Sequence, residues 1–180
     1  MRYNELTFQG RNAVLEAFRS GKTIDKLFIL DGCQDGPIKS IVREAKKTDA
    51  IINYVDKERL DRLAGTGHHQ GVVAIGAAYE YAEVEDILAA AKEKGEDPFI
   101  FILDEIEDPH NLGAIIRTAN LAGAHGVIIP KRRAVGLTAT VAKTSAGAIN
   151  YTPVAKVTNI SQTIEELKKQ GLWFVCADMG

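Results

Sequence analysis

Residues 103–120 read LDEIEDPHNLGAIIRTAN, and this stretch decides the fold class of the second half of the chain. It continues the apolar run Phe99–Leu103, which is typical of a strand buried on both faces of a parallel sheet. The spacing of apolar residues then predicts a helix from about Asn111 to Ala122, and Gly126–Ile129 forms a second apolar strand. A strand, a helix and a strand in this order predict a right-handed β-α-β unit.

The predicted helix carries a core face and separate polar positions. Arg117 lies off the apolar face, and its neighbours at helical spacing include Gly113 and Asn120. Glycine inside a helix costs about 1 kcal/mol relative to alanine, so Gly113 indicates the close approach of another backbone or a ligand. Asn111 is placed to cap the helix. Spacing alone favours the simpler interpretation, in which Arg117 is a solvated arginine and Asn111 only a cap. The predicted core face comprises Leu112, Ile115, Ile116 and Ala119.

The rest of the second half continues the alternation of helices and strands. Predicted helices cover Val84–Lys94, about Thr138–Ser145 and Ile160–Gln170, and the apolar segment Leu172–Cys176 predicts a further buried strand. Cys176 itself is assigned to the core. The second half therefore predicts a parallel α/β sheet.

The first half alternates in the same way and predicts a small α/β domain over residues 1–77. A polar linker over 78–83 separates it from the second domain, over 84–180. The predicted helices of the first domain are Asn12–Phe18, Ile38–Lys47 and Lys57–Leu63, and its predicted strands are Lys26–Leu30, Ile51–Val55 and Val72–Ala77.

The composition is that of an ordinary globular protein, with 46% hydrophobic and 26% charged residues among 180. No apolar run approaches the length of a membrane span, and the beginning of the chain, MRYNELTFQG, lacks the pattern of a signal peptide. The two cysteines match no metal or redox spacing, and two lone thiols without a signal favour a reducing compartment. The sequence therefore predicts a cytoplasmic protein without membrane attachment.

The charge is unevenly distributed along the chain. The net charge is +2 over residues 1–76, −9 over 77–108 and +5 over 109–180, which gives −2 for the whole. The two basic regions could face an anionic partner, but solvated lysines explain such small excesses equally well.

Three clusters admit a functional and a plain interpretation. The acidic residues of the loop 104–108 could bind a metal ion, but their spacing matches no metal-binding loop, so a solvated loop is favoured. His68 and His69 could bind a metal ion, and a loop close to RNA is at least as good an interpretation. Lys131–Arg133 follows a predicted strand and is either a solvated turn or a phosphate contact. No metal site is predicted.

The decisive stretch resembles the first signature motif of the SpoU family, also called the TrmH family, of SPOUT RNA 2′-O-ribose methyltransferases. The resemblance runs through DPHNLGAIIRTAN (108–120) and GAHGVIIP (123–130) and continues in KTSAGA (143–148), PV (153–154) and GLWFV (171–175). In the first half, GRNAVLE (10–16) and HQGVVA (69–74) resemble the ends of the family's small RNA-binding domain, which is similar to ribosomal-protein RNA-binding folds. The resemblance covers nearly the whole chain and is closest to the branch that methylates guanosine in large-subunit ribosomal RNA.

The resemblance implies methyl transfer from S-adenosylmethionine to a ribose 2′-hydroxyl by a homodimer. No metal ion is implied, because the sulfonium donor is already activated. The family's catalytic asparagine and arginine fall on Asn111 and Arg117. Because a guanidinium stays protonated, Arg117 suits the binding of a phosphate or of a developing alkoxide better than the role of a base. The residues expected to contact RNA are Arg11, Asn12, His69, Gln70, Lys131, Arg132 and Arg133.

The family's second and third motifs, a Gly-Glu-Gly type loop and a Ser-Leu-Asn type loop, have no counterpart within the 180 residues. In the family they form the trefoil knot and most of the cofactor pocket. On the cofactor side only Ala177 and Asp178 are expected contacts here. We therefore expect a SPOUT-type sheet lacking its C-terminal trefoil-knot segment, and a chain that is by itself an inactive fragment.

Two other function classes compete with the enzyme. One is an RNA-binding module whose second domain is catalytically incomplete. The other is a nucleotide-dependent α/β enzyme, which is less favoured because GTGHHQG (65–71) precedes a strand and does not join a strand to a helix.

Overall fold

The computed structural model describes residues 6–65 and 67–177, and the chain divides into two compact units. The first comprises Met1–Glu80 and Gly136–Lys143, and the second comprises Tyr81–Val135 and Thr144–Gly180. The domain limits predicted from the sequence stay a prediction, and the short segment 136–143 was not expected in the first unit. No helix in the described part of the chain is both long and apolar enough to cross a membrane.

The first unit is built on a four-stranded mixed sheet in the order β1-β4-β2-β3. The central strands β2 and β4 run antiparallel, and β3 is an edge strand parallel to β2. All three strands predicted here are confirmed, and β1, on the other edge, was not predicted. The strands are β1 Leu6–Gln9, β2 Ile24–Leu30, β3 Ile51–Val55 and β4 Val72–Gly76.

Three helices cover the two faces of this sheet, and all three were predicted. Helices α1 (Arg11–Arg19) and α2 (Gly36–Ala45) pack on one face, and α3 (Lys57–Ala64) packs on the other. The alternating strand residues are shared between two clusters because side chains point to opposite faces of a sheet. The first cluster includes Val14, Leu27, Ile29, Ile41 and Val72, and the second includes Phe28, Leu60 and Val73.

The second unit contains a three-stranded sheet in the order β5-β6-β7, and both strand pairs are parallel. The predicted parallel α/β sheet is thereby confirmed, although β7 was not predicted as a strand. The expectation that the strand within Phe99–Leu103 is buried on both faces is wrong, because β5 is half-buried and Phe99 is 47% exposed. The strands are β5 Ile100–Ile102, β6 Gly126–Pro130 and β7 Val154–Val157; the helices are α4 Val84–Lys94, α5 Pro109–Leu121, α6 Ala139–Thr144, which crosses the boundary between the units, and α7 Ile160–Lys169.

The segment Leu172–Cys176 differs from its prediction as a buried strand. It forms no strand, and its residues alternate in exposure. Leu172 and Phe174 pack partly on the cluster around Ile87 and Ile128, whereas Trp173 and Val175 are each 97% exposed. The assignment of Cys176 to the core is wrong, because this thiol is exposed. A continuous apolar run predicts a strand that is buried on both faces. In this segment only the side that carries Leu172 and Phe174 packs against the core.

Gly126 gives a stability prediction for the second unit. A Cβ at this position would lie 2.5–2.9 Å from three side-chain carbons of Ile87, which is fully buried. Because the surrounding core is closely packed, we expect Gly126→Ala to lower the free energy of unfolding by about 1–3 kcal/mol. Urea denaturation measures the change. Gly36→Ala is the control, since a Cβ there meets no atom within 4 Å; equal stability of the two variants would contradict the packing.

Candidate functional site

Helix α5 begins with a side-chain cap that frees Asn111. The carboxylate of Asp108 accepts a hydrogen bond of 2.8 Å from the backbone N–H of Asn111, and Pro109 occupies the first turn. The expectation that Asn111 caps the helix is therefore wrong; Asp108 does so, because its acceptor lies three residues before the N–H that it satisfies. The side chain of Asn111 is left exposed at the start of the helix.

The buried face of α5 agrees with its prediction. Leu112, Ile116 and Ala119 are fully buried, and Ile115 is partly buried. Arg117 is exposed on another face.

Asn111 and Arg117 lie about 9 Å apart along the helix axis, since each residue rises about 1.5 Å. With about 3.6 residues per turn, the two side chains leave the helix about 120° apart around its axis. Long side chains on a helix lean towards its N-terminus, which reduces the axial separation between the guanidinium and Asn111. Among the described residues, neither side chain makes a hydrogen bond or an ion pair. The structure thus leaves an amide and a guanidinium available for a ligand.

Gly113 is the point at which a second segment is pressed against α5. A Cβ on this glycine would overlap Thr144 Oγ1 and would lie 2.8 Å from Thr144 Cβ and 3.0 Å from the backbone nitrogen of Ser145. Thr144 also donates a hydrogen bond of 3.2 Å to the carbonyl oxygen of Pro109. The close approach inferred from Gly113 is confirmed, and the approaching group is the segment 144–145.

A second contact fixes the other end of α5. The hydroxyl of Thr152, which is fully buried, donates a hydrogen bond of 3.1 Å to Asn120 Oδ1. Between the two contacts the chain turns through Ala146, at φ 50°, and Gly147, at φ 88°. Asn120 therefore anchors the loop before β7, while Asn111 and Arg117 remain exposed.

An ion pair joins the loops at the carboxyl ends of β5 and β6. Arg133 Nη1 lies 2.6 Å from Glu105 Oε1, and both residues have positive φ, at 58° and 52°. Arg132 is exposed and Lys131 is half-buried. In parallel sheets ligands bind at this end of the strands. Among the described residues, no group of three or more histidine, cysteine, aspartate or glutamate side chains could hold a metal ion.

In the first unit the structure brings together three of the four residues predicted to contact RNA. Arg11, Asn12 and Gln70 line a shallow cleft of about 570 Å³, which we call the Arg11 cleft. The guanidinium of Arg11 donates to the carbonyl oxygen of Gln70, at 3.2 Å, and to Asp35, at 2.5 Å. Gln70, at φ 51°, accepts from the backbone N–H of Arg11 through its side chain.

His69 is placed differently, because it is buried beneath this loop. Its Nδ1 accepts a hydrogen bond of 2.9 Å from the backbone N–H of Gly71, and its Nε2 lies 2.9 Å from Asp61 Oδ1. Both ring nitrogens are therefore engaged inside the unit. The structure does not bring His69 to the surface with Arg11 and Asn12.

On the cofactor side, Ala177 is exposed and Asp178 lies outside the described residues. The sequence did not single out Thr144, Thr152 or the capping role of Asp108. Signals existed for two of them: Asp108 stands three residues before Asn111, as a capping residue does, and Thr144 lies in the segment KTSAGA that carries the resemblance. Nothing in the sequence pairs Thr152 with Asn120.

Two family sequence patterns match the chain. The SpoU rRNA Methylase family matches residues 98–180, and a second pattern, described as RNA 2′-O ribose methyltransferase substrate binding, matches residues 9–82. Together they span both structural units.

Curated relatives match over almost the whole chain. A protein of Bacillus subtilis (strain 168), YacO, carries the provisional description TrmH family tRNA/rRNA methyltransferase; it is 54% identical over 94% of this chain and 68% of its own length. A protein of Staphylococcus haemolyticus (strain JCSC1435) with the same provisional description is 48% identical over 97% of this chain and 70% of its own length.

Solved structures are more distant. An AdoMet-bound rRNA methyltransferase from Sinorhizobium meliloti has a TM-score of 0.42 and 23% identity, and the match covers 90% of this chain and 58% of that one. The SpoU methyltransferase AviRb from Streptomyces viridochromogenes, in complex with AdoMet, has a TM-score of 0.45 and 20% identity, covering 93% of this chain and 59% of that one. The chain thus spans less than two thirds of these solved structures.

Proposed function

The chain belongs to the SpoU rRNA methylase family, also called the TrmH family, and from this premise we propose that the protein acts as an RNA ribose 2′-O-methyltransferase that uses S-adenosylmethionine, with this chain supplying the substrate side of the site. The observation that carries the proposal is the surface of α5, where Asn111 and Arg117 are exposed and without side-chain partners among the described residues. The buried side of the same helix is fixed at Gly113 and Asn120.

The chemistry needs a 2′-hydroxyl that is correctly oriented and that can lose its proton as the methyl group is transferred. The amide of Asn111 can accept a hydrogen bond from the hydroxyl or donate one to the ribose. The guanidinium of Arg117 offers a planar set of donors that suits a phosphate oxygen or the developing alkoxide. Because a guanidinium stays protonated in proteins, Arg117 is suited to stabilise negative charge, and the hydroxyl proton is released to water.

When bound, S-adenosylmethionine supplies a sulfonium methyl group that is already electrophilic. Of the residues in this chain, Ala177 is proposed as a contact to it. Ala177 lies three residues after Phe174, which packs partly on the core of the second unit, and its small exposed side chain leaves room for a ligand. Asp178 is proposed from the resemblance alone.

The first unit is proposed to bind the RNA through Arg11, Asn12 and Gln70. Their common cleft supports this role. The guanidinium of Arg11 already donates to Asp35 and to Gln70 but has further N–H donors, and Asn12 and Gln70 add two amides; these groups bind phosphates and the edges of unpaired bases. We assign His69 a positioning role, because its hydrogen bond to the N–H of Gly71 holds the loop that carries Gln70. In the second unit Lys131, Arg132 and Arg133 are proposed phosphate contacts, with Arg132 the most accessible.

Three further features belong to the proposal. The target is ribosomal RNA, in line with the family's description. The enzyme works as a homodimer, and the apolar Leu121 and Tyr151, which are 81% and 80% exposed in the second unit, support an interface there. The site of action is the cytoplasm.

Mapping ribose methylation tests the target. In a strain that lacks the gene, we expect one 2′-O-methyl site in ribosomal RNA to disappear, and a plasmid copy to restore it. Sites are read from both ribosomal and transfer RNA by resistance to alkaline cleavage. Loss of a site in transfer RNA alone would contradict the ribosomal assignment, and an unchanged map would contradict the proposed function.

A further inference from the structure

A second cleft in the first unit is unused by the proposed function. It lies between α2 and the edge strand β3 and has a volume of about 440 Å³; we call it the α2–β3 cleft. Ile38 and Val42 supply its apolar part, and Cys33 lines both this cleft and the Arg11 cleft. The two clefts are therefore neighbours on one unit.

Three cations line the α2–β3 cleft, two on α2 and one, Lys46, at its C-cap. Lys39, Arg43 and Lys46 recur at intervals of four and three residues, so they lie on one face of the helix. Lys39 and Lys46 form no ion pair with any described residue, and Arg43 Nε is 3.8 Å from the carboxylate of Glu44.

The charge of Glu44 is met mainly by another residue. Lys47 Nζ donates to both carboxylate oxygens of Glu44, at 3.0 and 2.8 Å, and this hydrogen bonding holds the pKa of Glu44 below its ordinary value. Glu44 is the acidic residue of α2, and it is paired mainly with Lys47. Lys39, Arg43 and Lys46 therefore give the cleft a net positive charge.

An aromatic ring completes the cleft. Tyr54 is 55% exposed although it lies in a strand. It points to the α2 side of the sheet, because side chains alternate along a strand and Ile52, two residues earlier, packs on the α1–α2 core. β3 is an edge strand, so nothing in its sheet covers the outer side of the ring.

We propose that the α2–β3 cleft binds a single-stranded segment of the substrate RNA, with a base stacked on Tyr54 and phosphates along Lys39, Arg43 and Lys46. Single-stranded nucleic acids are commonly bound by a positive track combined with an exposed aromatic ring. Because the cleft adjoins the Arg11 cleft, the segment continues the strand held there. The inference rests on the proposed function and adds the region through which it selects single-stranded RNA.

Binding of a fluorescein-labelled single-stranded RNA of about 12 nucleotides, measured by anisotropy on the full-length protein without S-adenosylmethionine, tests the inference. For Lys39→Gln/Arg43→Gln/Lys46→Gln we expect the slope of log affinity against log salt to fall by about 2, because each phosphate contact on a single strand contributes about 0.7. For Tyr54→Ala we expect affinity to fall about tenfold, whereas Tyr54→Phe, which keeps the ring, binds normally.

A matched variant controls for net charge. Lys57→Gln/Arg59→Gln/Arg62→Gln removes three exposed cations from α3, on the opposite face of the same sheet. It is expected to change the salt slope much less. Equal losses in the two triple variants would overturn the inference, as would normal binding by Tyr54→Ala. Unchanged RNA binding with lost binding of polyglutamate would assign the cleft to an acidic protein and overturn it too.

The readout separates the two proposals. RNA affinity is measured without methyl transfer. If the protein methylates RNA but its RNA affinity is unchanged by the substitutions in the α2–β3 cleft, only this inference is contradicted. A protein that binds RNA through the cleft and transfers no methyl group contradicts only the proposed function.

Discussion

Replacing Arg117 with alanine is expected to reduce methyl transfer by the full-length protein about a hundred- to a thousandfold, the usual cost of removing one charge-stabilising donor from an active site. Arg117 lies off the buried face of α5 and makes no ion pair with the described residues, so its loss removes no contact that holds the fold. The expected loss is in kcat, because the guanidinium acts on charge that develops only during the reaction. RNA affinity, measured by anisotropy, should stay within a few-fold of normal.

Two controls sharpen this result. Arg117→Lys keeps the charge but loses the planar set of donors, and is expected to retain only partial activity. Arg62→Ala removes an exposed arginine from α3 of the first unit and is expected to leave turnover normal. Near-normal turnover by Arg117→Ala would remove this residue from the site, and a loss confined to RNA affinity would make it a binding residue only.

The second large effect is expected for Gly113→Ala, because helix propensity and packing change the stability of the protein in opposite directions. Helix propensity alone predicts that Gly113→Ala stabilises the protein by about 1 kcal/mol. The added Cβ would instead collide with Thr144, and α5 or the segment 144–145 has to move. We therefore expect a net destabilisation of about 1–3 kcal/mol.

The same substitution should impair catalysis, because the displaced helix turn carries Asn111. Misplacement of reacting groups by about 1 Å can cost about a hundredfold in rate, so kcat should fall well before the protein unfolds. Thr144→Gly in the same chain removes the colliding side chain and is expected to recover part of both losses. A stabilised and fully active Gly113→Ala would show that the contact with Thr144 is not tight.

The sequence predicted most of the fold because its signals are local. Runs such as Val84–Lys94 and Ile51–Val55 carry clear periodicity, and the structure reproduces both ranges. The strands β1 and β7 were missed, because LTFQ and VAKV each include polar residues and form no continuous apolar run, and because their pairing depends on partners distant in sequence. Leu172–Cys176 was over-interpreted for a related reason: apolar content does not reveal whether one or two faces are covered.

The site could be predicted only in part. Arg117 was expected off the core face, and Gly113 was expected to mark a close approach; both follow from helical spacing. What approaches Gly113, and what Asn120 binds, depends on contacts across 31 or 32 residues of chain, which no local pattern contains. His69 is likewise buried, with its ring nitrogens in contact with Asp61 and with the backbone of Gly71. The sequence shows only two adjacent histidines in a loop, a pattern that predicts accessible side chains.

In this account, Asn111 and Arg117 on α5 take part in the methylation of a ribose 2′-hydroxyl. This role is tested most directly by incubating the full-length protein with ribosomal RNA and S-adenosylmethionine carrying a labelled methyl group, followed by alkaline hydrolysis. Alkali cleaves RNA through the 2′-hydroxyl, so a 2′-O-methyl group protects the adjacent bond. We predict that the label appears in alkali-resistant dinucleotides with the wild-type protein and is lost with Arg117→Ala. Label in mononucleotides, which marks a methylated base, or equal labelling by Arg117→Ala would contradict the claim.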